Sequence, residues 1–279
     1  MMSPLAEYLC PPGFSGPRGF RALAAEASVV REARHLACPV STIGRLGGVS
    51  RGRPRGDDQP VLLVPGFLAG DATLRPMSML LRRAGYRTYR SRVHANVRCV
   101  QATGEALERR LEELVERLDR PVALIGHSLG GLLAKALAHR RPELVAGIVT
   151  MGSPLLAPGA VHPVLAFDLR LLARLQRWGF GGLMGDDCTS GDCARTSWQE
   201  LSAPAHDGFV FTSIYSRRDG IVDWRACLDP AATHVEVRCS HVGMAVDQPT
   251  HRHVLTALGR ITEAEDATDR RAAPAATAG

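Results

Sequence analysis

A serine stands where the apolar run of residues 122–127 gives way to Gly126-His127-Ser128-Leu129-Gly130-Gly131. This is the G-x-S-x-G pattern, in which a short strand stops at the serine and turns at once into a helix, leaving the hydroxyl presented on the corner. The flanking glycines answer to crowding, because a side chain two residues either side of the serine would strike the neighbouring strand or helix. Gly131 lets the following helix approach the sheet, and residues 132–140 are good helix formers, so the strand-turn-helix context is present on both sides.

A serine hydroxyl is a weak nucleophile at neutral pH. It needs a base to take its proton, and the base needs an acid to hold its tautomer and stabilise its charged form. Two later turns offer those groups. Asp219 lies in Ser216-Arg217-Arg218-Asp219-Gly220, directly after the apolar run 208–215, and His241 follows the strand-like run 234–239 in Ser240-His241-Val242-Gly243. Serine, acid and histidine in that order, each after a strand, is one of the chain orders such triads use. Asp223 is the alternative acid, its other role being to cap the next turn. The remaining histidines fit less well: His127 is in the elbow, His139 on the helix after it, His206 ahead of its strand, and His251 and His253 on the closing helix.

Acyl transfer also needs backbone N–H groups aimed at the oxyanion. Val64-Pro65-Gly66-Phe67 ends an upstream apolar run in a turn, so Phe67 N–H and Leu129 N–H, the residue after the serine, form the expected pair. Asn96 either hydrogen-bonds toward the elbow or oxyanion loop or is an ordinary loop asparagine.

The elements that must position these groups alternate. Strand patterns at residues 61–67, 86–93, 122–127, 144–154, 208–215 and 234–239 are separated by helical patterns at 73–84, 102–118 and 132–140, with a closing helix at 248–258. That order predicts an α/β fold, a mostly parallel sheet with helices on both faces and the loops after its strands on one rim. The rhythm breaks at residues 155–205, about fifty residues and too long for a plain connection. Within it, 164–178 is amphipathic, with Leu165, Leu169 and Leu172 on one stripe and Arg170, Arg174 and Arg177 off it, followed by a glycine-rich hinge at 179–182. The stretch reads as a short helical cap whose three leucines touch substrate, or else as an extra helix packed permanently on the core.

The chain has 279 residues, 45% apolar and 22% charged, as in an ordinary globular protein. Its net charge is +6 and its pI about 9.2, but Lys135 is the only lysine. The one arginine cluster, residues 45–55, lacks interleaved aromatics and sits beside Asp57 and Asp58, so no nucleic-acid partner is expected. No basic start precedes an apolar run at the N-terminus, and no run reaches the roughly 18 residues of a membrane span, so the expected location is cytoplasmic. Of seven cysteines, Cys188 and Cys193 are close enough to bridge, and Cys227 and Cys239 flank the acid and histidine loops; small buried hydrophobes are the alternative for both pairs. With no C-x-x-C or H-E-x-x-H pattern, neither metal nor cofactor is expected.

Taken together, these four motifs resemble the bacterial lipase/esterase branch of the α/β-hydrolase superfamily, over about residues 61–258. The resemblance implies the triad Ser128, Asp219 and His241, the oxyanion donors Phe67 and Leu129, and carboxylic-ester substrates. The missing secretion signal and the short, arginine-rich cap depart from the extracellular lipases and weigh against bulk triglyceride. The expected partner is a small ester or lipid, with room for transient contact with a membrane surface. An acyltransferase would use the same triad, and a catalytically silent binding protein would share the cleft. The expected organisation is a helical extension and linker at 1–57, whose helix at 20–36 either packs on the outside or meets a partner, a hydrolase domain at 58–262 with its cap, and a disordered tail at 263–279.

Overall fold

The computed structural model describes residues 6–33, 56–204 and 209–272. The arginine cluster at 45–55, Cys38, His206 and the ends of the expected extension and cap lie outside them.

Six strands form one sheet: β1 (Pro60–Val64), β2 (Arg87–Arg90), β3 (Val122–His127), β4 (Val145–Met151), β5 (Val210–Ser216) and β6 (Thr233–Val237). Their order is β2-β1-β3-β4-β5-β6, and every pair is parallel. A parallel pair needs a crossover; α-helices supply it up to β5, and a loop with a 3-10 turn at Trp224–Cys227 links β5 to β6. Among the described residues the α-helices are α1 (Phe20–Glu26), α2 (Val29–Glu32), α3 (Arg75–Arg83), α4 (Val100–Leu118), α5 (Leu129–Arg140), α6 (Pro163–Arg177), α7 (Asp187–Ser190), α8 (Asp192–Ser202) and α9 (Gln248–Ala272).

Alternation along each strand divides the core in two. Val61 and Leu63 of β1 face Met77 and Leu81 of α3 and Val254, Leu258 and Ile261 of α9. Leu62 and Val64 face Leu107, Leu111 and Leu114 of α4, Leu132, Leu133 and Leu137 of α5, and Leu201 of α8. The leucine spacing of α4 is the stripe that drives it onto the sheet. Lys135 of α5 is buried in an ion pair with Asp229.

Three elements differ from the sequence expectation. The N-terminal helix breaks at Ala27 and Ser28 into α1 and α2, neither with a buried residue. The closing helix continues to Ala272, ten residues into the stretch expected to be a disordered tail. Ala257, Leu258 and Ile261 anchor it in the core, and helix propagation past an anchored turn needs only one hydrogen bond per added residue. The insertion also contains α7 and α8, and α8 belongs to the core layer through Leu201.

Candidate active site

Ser128 adopts φ 54°, ψ −122° between the end of β3 and the first turn of α5. A serine with positive φ is strained, and the neighbouring glycines show what holds it there. A Cβ on Gly126 would run into the backbone of Gly130 and Gly131, one on Gly130 into the carbonyls of Val64 and Pro65, and one on Gly131 into Ser153. Ser128 N–H donates to Met151 O at 2.8 Å, fixing the corner to the end of β4.

His241 and Asp219 meet at that same strand end. Asp219 Oδ2 lies 2.7 Å from His241 Nδ1, while its Oδ1 accepts from the N–H groups of Ile221 and Val222 at 2.8 and 2.7 Å. A carboxylate can only accept, so Nδ1 carries the proton and the neutral ring keeps Nε2 free as a base. The pair stands against Gly152, where an added Cβ would come 3.0 Å from Nδ1 and 3.3 Å from Asp219 Oδ2. Gly152 has φ +56°, a conformation that favours glycine. Ser128, Asp219 and His241 are all buried. Burial pulls the His241 pKa down, but Asp219, by charge and hydrogen bond, and Glu26, by charge, outweigh it and leave the pKa raised.

Asp223, the alternative acid, is committed elsewhere. Its carboxylate caps the turn after it by accepting from Arg225 N–H, pairs with the Arg225 guanidinium at 2.8 Å and accepts from Ser15 N–H.

Phe67, Ser128 and Leu129 line one cleft. Leu129 is the first residue of α5, where a backbone N–H has no partner within the helix. Gly66 brings the other loop against the elbow, an added Cβ there lying 3.0 Å from Ser128 Cβ. Asn96 is buried and takes the first of its two roles: its amide donates to Pro65 O at 2.9 Å and so braces the Phe67 loop.

The cleft is mostly apolar, with Leu132, Leu133, Val161 and Trp198 among its walls and Arg140 and Glu200 also lining it. Leu165 and Leu169 of α6 line it, whereas Leu172 does not. The stripe is real, but Leu172 lies about 4.5 Å further along the axis at 1.5 Å per residue, beyond the cleft's edge. The expected glycine-rich hinge is a turn, with Gly179 and Gly182 at positive φ, and Gly182 O accepts Cys99 N–H at 3.2 Å.

Two carboxylates missed by sequence reasoning complete the site. Glu26 of α1 accepts from Gly220 N–H at 2.8 Å and His241 N–H at 3.0 Å through one oxygen, and from Val242 N–H at 2.9 Å through the other. Glu32 of α2 accepts from Ser240 N–H at 3.0 Å and Ser240 Oγ at 2.6 Å. Glycines permit the approach: a Cβ on Gly220 would strike Ala22 O, and one on Gly243 the Glu32 carboxylate. α1 and α2 therefore pack across the loops of Asp219 and His241, and Leu9 reaches the cleft itself. A glutamate on an amphipathic helix reads as a solvated face, so only the glycines at 220 and 243 carried a local hint.

His127 braces His241 from the other side. Its Nε2 lies 3.0 Å from the His241 carbonyl, an acceptor, so Nε2 carries the proton. Burial and the neighbouring His241 push its pKa down to about 4, and it stays neutral above that pH.

Residues 102–187 match a family model described as the alpha/beta hydrolase fold. Among solved structures, the mature Bacillus licheniformis lipase BlEst2 superposes with a TM-score of 0.55 at 15% identity, covering 76% of this chain and 96% of that one. One of the metagenome-derived lipolytic enzymes LipS and LipT gives 0.52 at 19%, with 75% and 95% covered. The Paleococcus ferrophilus monoacylglycerol lipase gives 0.51 at 16%, with 74% and 96% covered. The six-stranded parallel sheet with helices on both faces is thus an α/β-hydrolase fold.

Proposed function

We propose that this chain, an α/β-hydrolase in fold, is a serine esterase that cleaves carboxylic esters with an apolar acyl group through an acyl-enzyme. The observation that carries the reading is Ser128 on a strained elbow, opening into an apolar cleft beside a hydrogen-bonded His241–Asp219 pair. Ser128 Oγ attacks the ester carbonyl as His241 Nε2 takes its proton; Asp219 holds the ring and stabilises the imidazolium. Phe67 and Leu129 N–H groups hold the oxyanion. His241 then passes the proton to the departing alcohol. Water, activated by the same ring, attacks the acyl-enzyme and releases the acid.

The acyl group lies along the apolar wall toward Leu165 and Leu169, and the fold relatives that carry the name lipase are in keeping with that reading. The proposed setting is cytoplasmic, with a small ester or lipid as substrate, no nucleic-acid partner, no cofactor and transient contact with a membrane surface. Among the described residues, no helix is long and apolar enough to cross a membrane.

A chain-length series of nitrophenyl esters tests the reading with wild type and Ser128→Ala. Ser128-dependent turnover rising with acyl length is expected, the variant losing about 10⁶-fold in kcat. No Ser128-dependent turnover on any ester would sink it. Adding an alcohol acceptor separates hydrolysis from acyl transfer, since a transferase makes a new ester where this reading expects free acid.

A further inference from the structure

Away from the triad, three cysteines converge where the insertion meets α4. Cys99 is the residue before α4, Cys188 lies in α7 and Cys193 in the first turn of α8. Cys193 Sγ is 3.5 Å from Cys188 Sγ and 3.7 Å from Cys99 Sγ, and the three sulfurs all lie within 4.8 Å of one another. Three sulfurs around one ion at bond lengths of about 2.3 Å sit about 3.8 to 4.0 Å apart, so the cluster needs shifts of no more than about 1 Å to close on a cation. All three are free thiols.

A helix N-terminus lies at the cluster. The N-terminus of α4 has no side-chain cap and no acidic residue in its first turn. Cys99 is the residue at that N-terminus, and its sulfur is the one 3.7 Å from Cys193 Sγ. The positive end of a 19-residue helix thus points at the cluster. Cys99 and Cys188 are only half-buried, which suits a reachable site better than inert core packing.

We infer that Cys99, Cys188 and Cys193 form a three-thiolate site for a single thiophilic d¹⁰ cation of the zinc class. Thiolates select such ions over magnesium or calcium. Each sulfur donates an electron pair to the ion, the thiol protons leave to solvent, and no oxidation state changes. Water fills the fourth position of a tetrahedral ion. The bound ion ties α7 and α8 to the start of α4, where Cys188 lines the apolar cleft, and so fixes one wall of that cleft. Short-motif reasoning could not find this site because Cys99 and Cys193 are 94 residues apart in sequence.

The test uses the full chain, reduced, stripped with a chelator and titrated with Zn²⁺ against a chromophoric competitor. One equivalent is expected to bind, with a rise in Tm. Cys99→Ser, Cys188→Ser and Cys193→Ser should each weaken binding about a hundredfold or more, and Cys10→Ser should leave it unchanged. Binding of less than about half an equivalent by the reduced wild type would overturn the proposal without reference to any variant. So would unchanged affinity in the three serine variants, or isolation of two of these thiols as a disulfide with no Zn²⁺ uptake after reduction. Each readout is independent of ester turnover, so failure here leaves the esterase reading standing and failure there leaves this one.

Discussion

On the sheet side of the cleft, Ser128, Asp219 and His241 are each held by hydrogen bonds or close backbone contact from at least two other segments. On the α6 side, the cleft meets two leucines of a helix whose only buried residue is Ala173 and whose Phe167 and Leu171 face solvent. The two halves of the insertion differ in the same way. α8 is clamped by Arg140, which pairs with Glu200 at 2.7 Å and reaches Gln101, which in turn donates to Ser197 at 2.9 Å. α6 has its root fixed, since His162 caps its start and donates its own N–H to Ile221 O at 2.7 Å, but its far end carries exposed Trp178 and Phe180. A proton relay needs fixed geometry at each step, whereas an acyl chain needs only apolar surface. Hydrogen bonds accordingly concentrate where the proposed mechanism moves charge.

Substitutions sharpen this contrast in descending order. Asp219→Asn should lower kcat about 10⁴-fold with KM little changed, because an amide donates where Nδ1–H needs an acceptor; a loss below about tenfold would remove Asp219 from the triad. Glu26→Gln should cost about tenfold in kcat, an amide being unable to accept all three N–H groups. Its pH profile is the sharper measurement. The raised His241 pKa means that the free base, and with it kcat/KM, is lost as pH falls through a value above 6.5. Removing the Glu26 charge should move that acid limb to lower pH, and an unmoved limb would make Glu26 a brace for the loops alone.

On the opposite wall, Leu169→Ala should lower kcat/KM for a long-chain ester about tenfold and for an acetyl ester hardly at all. Leu172→Ala should change neither more than about twofold, and equal effects at the two positions would erase the edge of the cleft drawn between them. Smallest of all, Phe167→Ser on the exposed face should leave turnover of a soluble short ester unaltered. A loss confined to vesicle-borne ester would identify that face as the one that meets a membrane.

The elbow was legible because its requirements are local: Gly126, Gly130 and Gly131 are there to clear backbone within a few residues or on the adjoining strand. Asp219 and His241 were legible for a related reason, each lying in a turn directly after a strand. The braces were not. Glu26 lies about two hundred residues from the loops it holds, and nothing in α1 distinguishes a carboxylate that caps three backbone N–H groups from one that faces water. Leu172 erred the other way, since periodicity tells which face of a helix is apolar but not how far along its axis the cleft extends.

By itself, then, the sequence determined the alternation of strands and helices, the strained corner at Ser128 and the placing of Asp219 and His241 in turns after later strands. Each depends on short-range sterics or on the period of burial. Only the tertiary structure decided that the N-terminal helices lie across the loops of Asp219 and His241, that α8 joins the core while α6 borders the cleft, and that Cys99 meets Cys188 and Cys193 at one corner of the elbow's cleft. Those outcomes turn on which surfaces meet once the sheet is assembled, and no local pattern of residues encodes that meeting.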